Sequence, residues 1–238
     1  ADSAGVVYVG EEKNSAVRKI ATDGVTTTIA GTGTNGDIDD VGSRAGCGAI
    51  IGLSIDSTGQ FLFAADVTYG KIRLIDTTTQ RVDTFLTGFS SLNEVLVNPT
   101  ATQVVVIPWK EVKVYTNDPV TPAPLTMEPT APTLAPLDLT AGICGTGGDV
   151  PGAAGIARFQ AANAVIMSPN SPFDTFISDT LSNKIKKMST VGTVADFSGS
   201  GTPGPGNGLA GSAQFNNPRG LTMDGTGDIY VADKLNHG

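Results

Sequence analysis

Few side chains in this 238-residue sequence are suited to chemistry, and their spacing narrows what that chemistry could be. Asp37, Asp39 and Asp40 crowd into the Gly-flanked stretch Asn35-Gly36-Asp37-Ile38-Asp39-Asp40-Val41-Gly42. Hard carboxylate oxygens in such a turn are what Ca²⁺ takes, so these three are the candidate metal ligands. The stretch lacks the length and terminal Glu of an EF-hand loop, and acids simply solvated in a turn are the competing reading. His237 is the single histidine, and Cys47 and Cys144 are the two cysteines, all far apart in sequence. A zinc site needs three or four such ligands together, and a nucleophile needs a base beside it. The sequence offers neither set, so no catalytic residue and no cofactor other than Ca²⁺ is assigned. Gly31-Thr32-Gly33-Thr34-Asn35-Gly36 fits G-x-G-x-x-G, but no helix follows it, so a dinucleotide site is set aside.

Charge and composition exclude more. Asp and Glu number 23 against 15 Lys and Arg, a net charge of −8 and a pI near 4.5. Proteins that bind nucleic acid displace phosphate counterions with clustered cations, and here the cations are few and scattered. Nucleic acid and anionic membrane surfaces are therefore poor partners. No apolar run approaches the roughly 18 residues of a membrane span. The first residues lack Met and any signal-peptide pattern, which reads as a processed or trimmed start. With 30 Gly and 14 Pro, the backbone is punctuated in a way that suits short strands and turns.

Those strands repeat. Val6–Val9, Phe61–Asp66, Phe176–Asp179 and Ile229–Asp233 are apolar runs, each ending on or near an acid. After a short turn, the first three are followed by runs carrying basic residues, at Val17-Arg18-Lys19-Ile20, Lys71–Ile75 and Asn183–Met188. The fourth is followed by Leu235-Asn236-His237. Ile20 and Ile75 are 55 residues apart, and Asp179 and Asp233 are 54 apart. A degenerate copy, Gln103–Ile107 followed by Glu111–Tyr115, fills the gap between the second and third. In phase with these runs recur Gly-rich connectors and the triplets Ala45-Gly46-Cys47, Ala157-Arg158-Phe159 and Ala213-Gln214-Phe215. The second unit reads as strands at about 51–56, 61–66, 71–76 and 82–87, with Asp56-Ser57-Thr58-Gly59 as a hairpin turn. Four antiparallel strands per repeat form the blade of an all-β propeller, whose faces are covered only by neighbouring blades. Phe159 and Phe215 are the expected wedges between blades, with Cys47 in the same slot as a small buried apolar residue. A Cys47–Cys144 bridge would have to join loops two blades apart. The recurring Arg18, Lys19, Arg73, Lys184, Lys186 and Lys187 are expected to serve the blade.

At these residues the sequence resembles the NHL-repeat β-propellers. Asn217-Pro218-Arg219-Gly220-Leu221, Ile229-Tyr230-Val231-Ala232-Asp233 and Asn236-His237-Gly238 follow that repeat's first two strands and the approach to its third. Val17-Arg18-Lys19-Ile20 and Thr28-Ile29-Ala30-Gly31-Thr32-Gly33 follow the remainder. The resemblance runs over nearly all of 1–238 and is weakest around 89–140. It implies one propeller domain of four-stranded antiparallel blades, with this chain supplying about four to five blades of a six-bladed ring. The first unit lacks its initial strand and the last stops after two. Seventeen strands in all fit no whole number of blades, which predicts a longer polypeptide or a second chain that completes the ring.

Residues 117–136, with six prolines, form a Pro/Thr-rich insertion in the third blade that is expected to be extended and exposed. Its composition also suits O-glycosylation. Pro122, Pro124, Pro129 and Pro132 on this arm, together with Trp109, are the candidate interaction residues; Trp109 is either core or a contact anchor. The expected function is a non-catalytic binding or scaffold module. Its partners would be other proteins, or glycans, in an extracellular or cell-surface assembly, with no nucleic acid and no membrane insertion. The alternative that the resemblance implies is a metal-dependent lyase or hydrolase with its active site at the central channel.

Overall fold

The computed structural model describes residues 1–98, 103–116, 147–168 and 174–236. These fall into two compact units, one made by Ala1–Val105 with Tyr115 and Thr116, the other by Val106–Val114 with the described residues from Gly147 onward. Secondary structure is almost entirely antiparallel strand, with one 3₁₀ turn at Thr180–Ser182. Cys144, Pro122, Pro124, Pro129, Pro132, His237 and the 117–136 insertion lie outside the described residues.

The first sheet holds β1 (Val7–Glu11), β2 (Ala16–Ile20) and β3 (Thr26–Ala30) in that order, lacking an initial strand as the repeat predicts. A two-residue strand, β4 (Asp40–Val41), lies in the connector that follows. The second sheet contains a complete blade: β5 (Ile50–Ile55), β6 (Phe61–Asp66), β7 (Lys71–Asp76) and β8 (Arg81–Leu86), each within one residue of its expected position. The third contains β9 (Leu92–Val97), β10 (Gln103–Pro108) and β11 (Lys113–Thr116). A second complete blade follows, with β12 (Ala162–Met167), β13 (Thr175–Asp179), β14 (Lys184–Met188) and β15 (Val194–Ser198). The last pair is β16 (Pro218–Met223) and β17 (Ile229–Asp233).

Burial follows the stacking logic. After their first residue, every residue of β6 and β7 is buried, and every residue of β13 is buried, so both faces of these strands are covered. Only neighbouring sheets can do that for a strand in the middle of a blade. Val17, Ile29 and Ala30 of the first sheet pack with Leu62, Ala64, Ile75 and Val82 of the second. Ala45, Cys47 and Ile50 sit in the same cluster, so the small-x-large triplet is a wedge between the two sheets. Phe159 is fully buried in its own unit, as expected of the wedge, and Phe215 is half-buried.

One strand was not legible in the sequence. The connector holding β4 reads as a plain Gly-rich loop, yet β4 pairs antiparallel with β8 through Asp40↔Val82 and Val41↔Arg81. The connector is folded back along the outer edge of its own blade.

Candidate functional site

The hairpins between second and third strands in the first, second and fourth sheets are built to one plan. An acid closes the second strand at Glu11, Asp66 or Asp179, and a cation stands seven residues on, at Arg18, Arg73 or Lys186. The residue four after the acid is left-handed in all three, Ser15 at φ 47°, Gly70 at 59° and Asn183 at 53°. The third and fourth strands slip register at the same step, Val17/Arg18, Ile72/Arg73 and Ile185/Lys186. A bulge re-aims the side chain beside it, and the one re-aimed here is the cation.

In the second blade this cation is fully buried and surrounded by carboxylates. Arg73 Nε donates to Asp66 at 3.2 Å, Nη2 to Asp37 at 2.5 Å, and Nη1 to Asp39 at 2.8 Å and to Thr84 Oγ1 at 2.9 Å. Asp39 also accepts from the Thr84 amide at 3.0 Å, and Lys71 donates to Asp37 at 2.6 Å. Hydrogen bonding from Lys71, with Arg73 beside it, holds the Asp37 carboxyl below its ordinary pKa. Burial opposes the charge on Arg73, yet Asp37 and Asp66 outweigh it and raise the guanidinium's pKa. Asp40 faces solvent and pairs with Arg44 at 3.0 Å. The candidate Ca²⁺ ligands are therefore committed to cations: Asp37 and Asp39 clasp the connector onto β7 and β8, and Asp40 binds within its own turn. Among the described residues, no group of three or more His, Cys, Asp or Glu is arranged to hold a metal ion.

The fourth blade repeats the clasp with different residues. Lys186, fully buried, reaches Asp149 at 2.5 Å and Asp196 at 2.9 Å, and Lys184 donates to Asp196 at 2.7 Å. Burial works against the charge on Asp149 and on Asp196, but hydrogen bonds from the two lysines win and lower both pKa values. Read as sequence, the connectors after the first do not preserve the acidic cluster. Asp149 nevertheless does the work of Asp37, and Asp196 on the fourth strand replaces Asp39. The signal was spacing: Asp37 precedes Ile50 by 13 residues, and Asp149 precedes Ala162 by 13.

The acid at the end of the second strand has a further task. Asp66 accepts from the Gly48 amide at 3.0 Å, Asp179 from Gln160 at 3.0 Å, and Asp233 from Asn216 at 2.7 Å. Each donor directly follows the wedge residue Cys47, Phe159 or Phe215. Burial raises the pKa of Asp179, with the Ala161 amide opposing. Burial also pushes the Cys47 thiol up to about 11, which leaves it protonated and inert.

The turn after the second strand exposes an apolar side chain in the last four sheets, whereas in the first sheet it is the polar Glu12-Lys13-Asn14. Trp109, read from sequence as core or anchor, is 54% exposed, with Lys110 Nζ 5.1 Å from its ring centroid. Tyr69, Leu181 and Leu235 hold exposed positions in the corresponding turns of other blades. On the inner strand β9, burial pushes the half-buried Glu94 up to about 7, against a hydrogen bond from the Val95 amide. A Cβ at Gly52 of β5 would lie 3.1 Å from Glu94 Cα and 3.3 Å from the Val95 amide nitrogen, so glycine eases the close approach of these two strands.

Comparison with known proteins agrees with this geometry. The chain covers 98% of its own length and 54% of an auxiliary nutrient binding protein from Bacteroides thetaiotaomicron, at 17% identity and a TM-score of 0.73. It covers 98% of itself and 69% of a chain of the nidogen/laminin complex, at 15% identity and a TM-score of 0.60. For virginiamycin B lyase from Staphylococcus aureus the figures are 98%, 61%, 12% and 0.59. The chain thus spans about half the length of the first of these, and likeness at such identity speaks for the fold alone. No curated protein matches the sequence. Residues 215–237 match the NHL repeat, and with antiparallel sheets of the blade type in both units, the chain has the β-propeller fold.

Proposed function

We propose that this chain is a non-catalytic binding or scaffold propeller that makes protein contacts, or glycan contacts, in an extracellular or cell-surface assembly. The observation that carries the reading is the recurrence of an exposed apolar or aromatic side chain, Tyr69, Trp109, Leu181 and Leu235, in one turn of successive blades. Large apolar tips on a rigid base contribute most of the energy of interfaces, and Trp most of all. The clasps supply rigidity, because they tie the connectors before β5 and β12 to their own blades with buried charge pairs. Residues 117–136 would extend the contact as an arm, with Pro122, Pro124, Pro129 and Pro132 along a partner. No helix of the described residues is long and apolar enough to cross a membrane.

Size-exclusion chromatography of native material tests this. A large complex is expected, and Trp109→Ala should weaken it by about tenfold or more in affinity while leaving the fold intact. Elution of native material as a lone monomer would count against a scaffold. Stoichiometric zinc in the purified protein would favour the metal-dependent lyase or hydrolase.

A further inference from the structure

Between Lys19 and Arg219 every Lys and Arg lies among the described residues, and all but Lys110 and Arg158 stand in an ion pair. Among the described residues, neither of these two has a carboxylate within ion-pair distance. They nevertheless lie against one short stretch of connector. Lys110 runs along Gly147, with Nζ 3.4 Å and Cε 3.5 Å from where a Cβ would stand. Arg158 Cδ lies 3.3 Å from the corresponding point on Gly148. Two consecutive glycines thus carry one half-buried cation each, and the Lys110 ammonium also faces the exposed Trp109 ring. In a chain of net charge −8, cations left without an acid mark the one interior patch that attracts negative charge.

The backbone points to the same residues. Lys110 is left-handed at φ 74°, whereas the turns after the second strand in the first, second and fourth sheets place Ser15, Gly70 and Asn183 in that conformation. Glycine and asparagine adopt it readily, but a lysine does so at a conformational cost, and such strain collects at sites of recognition. The other apolar tips differ in charge as well. Tyr69, Leu181 and Leu235 are followed by the uncharged Gly70, Ser182 and Asn236, and Trp109 by Lys110.

We propose that Trp109, Lys110 and Arg158, around Gly147 and Gly148, bind an acidic segment of a partner protein. An apolar side chain of that segment sits on Trp109, and carboxylates beside it pair with Lys110 and Arg158. This rests on the reading of the Trp109 tip as a protein contact, and it gives that contact its chemistry. Tryptophan is a strong anchor at interfaces, and charge-assisted bonds from Arg and Lys to carboxylate are stronger than neutral ones. The acids that dominate the rest of the chain repel such a segment, which confines it to this patch.

Trp109 is the single tryptophan of the chain, so its fluorescence reports on this site. The probe is an acetylated and amidated peptide, Glu-Glu-Phe-Glu-Glu, with Gln-Gln-Phe-Gln-Gln as its neutral counterpart. The acidic peptide is expected to change Trp109 emission saturably. At low salt it should bind about tenfold more tightly than the neutral one, and the difference should shrink as salt is raised. Lys110→Asn removes the charge and suits the left-handed backbone, so it should weaken acidic-peptide binding about tenfold without lowering the melting temperature. Arg158→Gln should weaken it to a similar extent, whereas Arg44→Gln, which removes an exposed charge elsewhere, should leave it unchanged. Equal binding of the two peptides, or binding indifferent to both Lys110→Asn and Arg158→Gln, would overturn the proposal. An emission change with an oligouronate but not with the acidic peptide would overturn it too, in favour of a glycan. Charge-independent peptide binding by a chain whose native complex still needs Trp109 would sink this inference and leave the scaffold reading standing.

Discussion

Arg73 has no solvent exposure, and Asp66 beside it has none either, so neither charge can be removed without stranding the other. Breaking one side of a buried pair costs about 3–5 kcal/mol, because the remaining charge keeps its desolvation penalty. Arg73→Met should therefore lower stability by about 3 kcal/mol in a denaturant titration. Asp37→Asn should cost about 1 kcal/mol or less, since its carboxylate is 35% exposed and its interaction is screened. Equal losses from the two changes would refute the ranking. Individual residues could be read from the sequence in part. It displayed the cations at a fixed place in each repeat, and it displayed Asp37, Asp39 and Asp40 as a cluster. It did not display which acids meet which bases, because Asp37 and Arg73 are 36 residues apart and meet only when the connector folds back.

The hairpins and the wedge were the most legible elements, since their signals are local. Asp56 binds the Phe61 amide at 2.9 Å, and Gly59 takes φ 75°, which needs only the order of residues in the turn. Gly31 and Gly199, at φ 101° and 105°, lie where a Cβ would collide with the carbonyl oxygens of Ser15 and Asn183. Both mark the same close approach of connector to hairpin, so the recurring Gly of the connector has a steric reason. Phe159 supports the fourth blade as Cys47 does the second, but with far more volume. Phe159→Ala should cost about 3–5 kcal/mol through lost burial and the cavity left behind. A thermal melt of that variant unchanged from the parent would remove the wedge from the account. β4 escaped the sequence because two residues carry no periodicity; its pairing follows from the clasp that holds its connector against β8.

For the whole molecule, the charges divide into two sets with opposite pH behaviour. Asp37, Asp149 and Asp196 have lowered pKa values, so the stability they add is full above their unfolded values. It is lost as pH falls through their folded values. Glu94 is raised to about 7, so the stability linked to its proton is full below its unfolded value. That part is lost as pH rises toward 7. Stability should thus peak in mildly acidic solution, near about pH 4.5–5, and decline on both sides. Glu94→Gln should flatten the decline toward neutrality, by about 3 kcal/mol at most, and leave the acid limb in place. Melting temperatures across roughly pH 3–8 for parent and variant check this, and an unchanged neutral limb would contradict it. The repeat itself is written in residue order: strand positions, turn residues, the wedge slot and the recurring cations all depend on residues a few places apart and on a period near 55. Folding in three dimensions settled which carboxylates the buried cations take and that Trp109 faces water. Those outcomes depend on which segments burial brings together across tens of residues, and no local pattern encodes that distance.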